Sequence, residues 1–340
     1  SAHVPSPRAS RAMAQALKGL QALVGTFQPQ LILGVDDDAS PVVRAATTVA
    51  RLTSTPLLQL PVSAPSWAVS SLGALTLSQL RRWTTVRLTI AVVSGGSVAA
   101  LEAMRGAITQ VALVGDAPHL HVLLPADASV ATVAAAQAWP WPRVGGGKRL
   151  SFRVSTVPTS VGLAEAWSPT ESDSEALLLL SADAHLSPAL YVYAKHFVLG
   201  VSSHKVLGVD LGTAGTDAGA GFPELKSSCG ALYLPHAWLE LQEYISAKFK
   251  STGERDAEAA ARTGGSDVAR LSWAELLGAF MQERDYLMHR PVGAPMCRVG
   301  NGGPRFAESA ELMKMFGLPS MFVRSHLTRK ENTSQEFSTS

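Results

Sequence analysis

The residues best suited to chemistry lie between Ala176 and Lys195, in the stretch ALLLLSADAHLSPALYVYAK. Its leucine run predicts a fully buried strand, and Asp183 and His185 follow at the strand's exit. Ser187-Pro188 then opens a helix, with proline suited to the first helical turn. A carboxylate and an imidazole at such a point can ligate a cation, with His185 favouring Mn²⁺ or a softer ion over Mg²⁺. They can equally form a plain hydrogen-bonding pair. A divalent ion bridging a diphosphate needs hard oxygen ligands and negative charge around it, and this turn supplies one carboxylate.

Other candidates are scattered along the chain, each with two readings. Ser94-Gly95-Gly96-Ser97 is a glycine-rich turn before a helix. It could admit a phosphate at the helix N-terminus or be only a tight turn. Asp127, after Pro125-Ala126, is a possible ribose-binding carboxylate or an N-cap. Lys148 and Arg149, after Gly145-Gly146-Gly147, suit phosphate contact or the basic exit of a hairpin. Asp285 and Glu283 are candidate general bases or charges facing water. Asp36-Asp37-Asp38 could hold a cation or favour a helix start through the macrodipole. Trp139, Trp141 and Trp167 lie beside or near prolines and read as core residues. His196, His204 and His236 lack metal-ligand spacing. No Gly-x-Ser-x-Gly elbow or Walker loop is present.

Strands alternating with helices must position these groups. Leu31–Val35, a Ser40-Pro41 helix and Leu57–Val62 read as one βαβ unit. A connector with a helix over Thr76–Trp83 follows. Strands are then predicted at Arg87–Val93, His119–Leu124, Leu150–Thr156 and Leu177–Leu180, with helices at Ser97–Gln110, Val130–Trp139 and around Gly162–Trp167. Later come strands at Lys205–Leu211 and Gly230–Leu234, and helices at Pro235–Lys250 and Ser272–Met288, with Ser251–Asp267 as an exposed, mobile excursion. The fold class is α/β, with a mainly parallel sheet and helices on both faces. Three parts are expected: an N-terminal helix and βαβ appendage over residues 1–83, a large domain over 87–322, and a polar tail over 323–340.

A formal charge of +2 gives no electrostatic case for nucleic acid. No apolar run approaches the roughly 18 residues that span a bilayer. Cys229 and Cys297 lie far apart: one bridge is possible but unforced, and free, buried thiols are the preferred reading. The first acidic residue is Asp36, after His3, Arg8, Arg11 and Lys18. Such a start suits the end of an organelle-targeting region or an ordinary amphipathic helix.

From about Arg87 to Pro291 the chain resembles a eukaryotic glycosyltransferase-like family with a GT-A fold, known from plants, algae, fungi and protists. Leu88–Val93 is similar to that family's first strand, and Gly115-Asp116 with Leu120-His121-Val122 to its second. Trp141 with Gly147-Lys148 and Gly162-Leu163 with Trp167-Ser168-Pro169-Thr170 match further blocks in order. Ser228-Cys229-Gly230-Ala231-Leu232-Tyr233-Leu234-Pro235 resembles "S-W-G-A-x-Y-F-P", and Ser272-Trp273 through Tyr286-Leu287-Met288 and Pro291 resembles "S-W…R-G-Y-x-M-x-Y-P". The departures fall where chemistry belongs. The family's Leu-Glu-Asp-Asp-x-Glu-x-Ser-Pro stands here as Leu180-Ser181-Ala182-Asp183-Ala184-His185-Leu186-Ser187-Pro188. The nucleotide loop is reduced to Ser94-Gly95-Gly96-Ser97, and no acidic, histidine-bearing closing segment stands near Asn301-Gly302-Gly303.

The resemblance therefore implies a degenerate glycosyltransferase recruited as a structural or interaction subunit. Other protein subunits would be its partners, no cofactor is expected, and a mitochondrial location fits the acid-poor start. Ser94, Gly95, Gly96, Asp127 and Lys148 would then line a vestigial nucleotide-sugar cleft, with Asp183 and His185 as a vestigial metal site. The alternative is an active transferase of the Golgi lumen. It would use a nucleotide sugar with Mn²⁺ or Mg²⁺, and Asp183 and Asp285 as its catalytic residues.

Overall fold

The computed structural model describes residues 7–36, 40–61, 64–141, 147–153, 163–164, 167–171, 174–212, 229–259, 273–290, 295–299 and 306. Helix α1 (Pro7–Phe27) precedes β1 (Ile32–Asp36), α2 (Pro41–Thr53) and β2 (Leu57–Pro61). Strands β1 and β2 pair in parallel, with Leu33 opposite Leu58 and Val35 opposite Leu60. Pro41 occupies the first turn of α2, and Ser54 ends it in a left-handed conformation. Helices α3 (Ser66–Gly73) and α4 (Leu77–Trp83) form the connector. A reciprocal capping box between Thr76 and Gln79 fixes where α4 begins.

The larger body contains β3 (Arg87–Val93), α5 (Val98–Thr109), β4 (His119–Pro125), α6 (Val130–Ala138), β5 (Lys148–Arg153), β6 (Glu175–Ser181) and β7 (Ala184–Leu186). Next come α7 (Leu190–Gly200), β8 (Val206–Asp210), β9 (Gly230–Tyr233), α8 (Pro235–Ala259), α9 (Trp273–Arg284), β10 (Leu287–His289) and β11 (Cys297–Val299). Seven strands form one sheet in the order β10-β8-β9-β6-β3-β4-β5. Every pairing is parallel except those of β9, which runs antiparallel to both β6 and β8. Strands β7 and β11 form a separate antiparallel ribbon.

Side chains alternate between the two faces of the sheet. Leu88, Ile90 and Val92 of β3 join one core with Leu101 and Met104 of α5 and Tyr191 and Phe197 of α7. Ala91 of the same strand joins the other, with Trp238 and Leu241 of α8 and Phe280 of α9. Helices thus cover both faces, as the alternating pattern predicts. Helix α7 is buried along almost its whole length, including Lys195 and His196.

Four expectations need correction. Cys229 and Cys297 are joined in a disulfide, with Cα atoms 5.7 Å apart, so they are not free thiols. The predicted Ser272–Met288 helix ends at Arg284, where Asp285 turns left-handed (φ 57°) and the chain becomes a strand. The helix from Pro235 continues to Ala259, through part of the predicted excursion. Ser129, not Asp127, caps α6, through Thr132 N–H to Ser129 Oγ at 3.2 Å. Asp37, Asp38, the Asn301 segment and the tail over 323–340 lie outside the described residues.

Candidate functional site

In an open α/β sheet, ligands bind outside the carboxyl ends of the strands, where the strand order reverses. Here the chain leaves β3 toward β4 and β5 on one side, and β6 lies on the other, so the reversal falls between β3 and β6. Their ends are level: Val93 faces Ser181, and Ala182 N–H donates to Val93 O at 2.9 Å. Ser94 N–H donates to Leu123 O at 2.9 Å, which aligns the end of β4 as well.

The Ser94-Gly95-Gly96 turn crosses this edge. Ser94 is fully buried and its Oγ accepts Gly96 N–H at 3.0 Å, while Gly96 is left-handed (φ 94°). Thr132 Oγ1 donates to Gly96 O at 2.7 Å, which ties the turn to α6. Asp127 is exposed in the turn after β4. Across the reversal, the turn after β6 presents Asp183 as an exposed side chain, its N–H directed at Ser181 Oγ at 3.4 Å. The β7 alternation then buries Ala184 and Leu186 and exposes His185. Ser94, Gly95, Gly96, Asp127, Asp183 and His185 therefore share the carboxyl edge.

Lys148 and Asp285 do not. Lys148 opens β5 opposite Leu120, at the amino end of β4. Its ammonium donates to the carbonyls of Gln137 (2.6 Å), Trp139 (2.7 Å) and Ala136 (3.4 Å), which caps the end of α6. Asp285 precedes β10, which runs parallel to β8, so it too lies at the amino edge. Glu283, nearby on α9, accepts from Tyr244 Oη and Lys248 Nζ, both at 2.8 Å, and serves to join α9 to α8. Strand direction decides these cases: a residue before a parallel strand and one after it lie at opposite ends of the sheet.

Two further residues reach the carboxyl edge. Arg298 of β11 pairs directly opposite His185, so the two side chains share a face of the ribbon. Arg298 also stacks over Phe306 at 5.1 Å. Asp210 ends β8, is 9% exposed and accepts Gly212 N–H at 3.1 Å. The strand-terminal position in Lys205–Leu211 marks Asp210 in the sequence; nothing local marks Arg298.

The ribbon is anchored on the sheet. Met296 and Cys297 N–H groups both donate to Leu211 O at 3.0 Å, and Ser187 N–H donates to Met296 O at 2.9 Å. The disulfide joins β11 to Cys229, whose carbonyl accepts Ser181 N–H at 2.9 Å. One covalent link thus fastens the strand that carries Arg298 beside the one that carries His185. Among the described residues, no three His, Cys, Asp or Glu side chains gather closely enough to hold a metal ion. Trp139 and Trp167 are core residues, as the sequence suggests, and Trp167 packs against Trp238.

Residues 100–253 match the family model described as the SPBC1E8.03c C-terminal domain. That stretch, less than half of the chain, runs from α5 into α8 and includes the Asp127 and Asp183 turns. No curated protein matches the chain.

Proposed function

We propose that this chain is a degenerate glycosyltransferase of the GT-A type, serving as a structural or interaction subunit of a larger assembly. One observation carries the reading: the turn at the reversal of strand order offers a single carboxylate, Asp183, where metal-assisted departure of a diphosphate needs more. The strand arrangement supports the fold half of the reading, because a mainly parallel sheet ends at this turn and passes into a ribbon beside it.

The N-terminal unit supports the interaction half. Leu33 and Val35 of β1 are 59% and 53% exposed, although Leu58, the strand partner of Leu33, is buried at 3%. The apolar face of β1 thus extends beyond the part that the body covers, and apolar surface of this kind marks interaction sites. The disulfide bears on location. Disulfides persist in oxidising compartments, so Cys229–Cys297 favours a secretory lumen over the mitochondrial matrix.

A second reading, a transferase that needs no metal, draws on Arg298, which pairs opposite His185 on the ribbon that follows Asp183. The Arg298 guanidinium there would balance a departing diphosphate without an ion. Calorimetric titration of UDP and GDP sugars, with and without Mn²⁺, separates the readings. The subunit reading expects no binding at millimolar nucleotide. Metal-dependent binding lost in Asp183→Ala would overturn it, and metal-independent binding lost in Arg298→Ala would favour the second reading.

A further inference from the structure

A cleft of about 260 Å³ opens at the amino edge of the sheet, the end opposite Asp183. It lies where β2 meets the starts of β3 and β4, with Tyr191 of α7 among its lining residues. Junctions between structural units are favoured places for small-molecule sites. The volume is below the roughly 300–1,000 Å³ of drug-sized pockets, so only a small ligand fits.

The lining chemistry is specific. Asp116 Oδ2 accepts Lys195 Nζ at 2.6 Å and Tyr191 Oη at 2.8 Å. Lys195 directs its remaining donors to the carbonyls of Trp83 and Val86, both at 2.6 Å, so all three N–H groups are used. Asp116 Oδ1 has no partner among the described residues. Because Lys195 already balances the carboxylate, Oδ1 suits a neutral hydroxyl donor better than a second cation. Arg87 and His119 also line the cleft and are exposed. Arg87 has no side-chain partner among the described residues. His119 Nδ1 accepts Gly147 N–H at 2.9 Å, which leaves the ring proton on Nε2 as a donor. Two donors, one permanently charged, line the same cleft as an acceptor and apolar walls at Leu58 and Val86, a set that suits a ligand with an anionic end and hydroxyl groups.

We propose that this cleft binds a small anionic polyol, its phosphate or carboxylate held by Arg87 and His119 and a hydroxyl donating to Asp116. The site is separate from the residues of the carboxyl edge and does not depend on whether they bind a nucleotide. Calorimetry with glucose 6-phosphate, gluconate, glucose and inorganic phosphate tests it on the intact chain. At least one of the two anionic polyols should bind about tenfold or more tightly than both glucose and phosphate. Arg87→Gln, an exposed change that should leave the melting temperature unaltered, should weaken that binding about tenfold or more. His119→Gln should weaken it as well, and Asp183→Ala should not affect it. The proposal fails if neither anionic polyol binds at millimolar concentration, or if phosphate alone binds as tightly as they do. It fails too if Arg87→Gln has no effect, or if Asp183→Ala abolishes binding, which would assign the ligand to the carboxyl edge.

Discussion

Lys195 and Asp116 form an ion pair with Nζ 2.6 Å from Oδ2, the lysine side chain fully buried and the aspartate side chain 19% exposed. Burial pulls the Lys195 pKa down and pushes the Asp116 pKa up, and the partners' mutual attraction opposes both shifts. Trp83 adds a ring face 5.1 Å from the ammonium. The pair fastens the fully buried α7 to the loop before β4. Lys195→Met should cost about 3–5 kcal/mol in urea unfolding, because the buried carboxylate loses its counter-charge. The double variant Lys195→Met/Asp116→Leu should recover much of that loss. A double variant as unstable as the single one would show that the cost lies in packing rather than charge.

Gly115 is a junction of another kind. It is left-handed (φ 79°), and a Cβ there would stand 1.6 Å from the backbone oxygen of Gln59 in β2. The backbones of β2 and the loop before β4 meet at this point, and no side chain fits between them. Gly115→Ala should therefore destabilise by about 1–3 kcal/mol from the left-handed backbone, and more from the collision. Limited proteolysis should detect β2 separating from the body before the sheet itself opens.

The disulfide closes a loop of sequence separation 68. Chain-entropy reasoning gives it about 4 kcal/mol of stabilisation. Paired Cys229→Ser and Cys297→Ser changes should lower the unfolding free energy by about that amount. Hydrogen exchange should speed up first at Ala184–Leu186, whose partner strand the disulfide anchors. Uniform loss of protection across the sheet would contradict this local role.

Acid sensitivity should centre on His196. The ring is 4% exposed, and burial brings its pKa down to about 4. The unfolded chain binds a proton near pH 6.5, whereas the native ring binds one only near 4. Between these values the unfolded state holds more protons, so stability is full above 6.5 and falls as the pH drops toward 4. The slope is at most about 1.4 kcal/mol per pH unit. Burial lowers the His289 pKa as well, which adds to the same trend. His196→Leu should flatten the profile of unfolding free energy against pH in this window; an unchanged profile would assign the sensitivity to other groups.

The parts of the fold legible in the sequence are those set by local pattern. Leu177–Leu180 announces a buried strand without help from distant residues, and Thr76, Ser97 and Pro41 mark helix starts through their own chemistry. Asp183 and the Ser94-Gly95-Gly96 turn were legible for the same reason, since each follows a readable strand. Lys148 and Asp285 were misplaced because local spacing does not say at which end of the sheet a residue falls. Arg298 sits on a three-residue strand whose partner among the described residues lies more than a hundred positions earlier. The cysteine pairing is equally non-local. The predicted Ser272–Met288 helix ran too long because one left-handed residue, Asp285, stops it, and its apolar pattern continues into β10.

The antiparallel strand β9 has a consequence for biosynthesis. It follows β8 in the chain yet lies between β8 and β6, so those two strands have no hydrogen bonds to each other. As the chain emerges from the ribosome, β3, β4, β5 and β6 can pair at once, while β8 must wait for Gly230–Tyr233. Until then β6 carries an open edge along Leu177–Leu180, which can pair with any extended segment nearby. The vulnerable interval in this protein's life is thus the translation of the segment between β6 and β9. A chain halted there is a template for aggregation rather than a smaller protein.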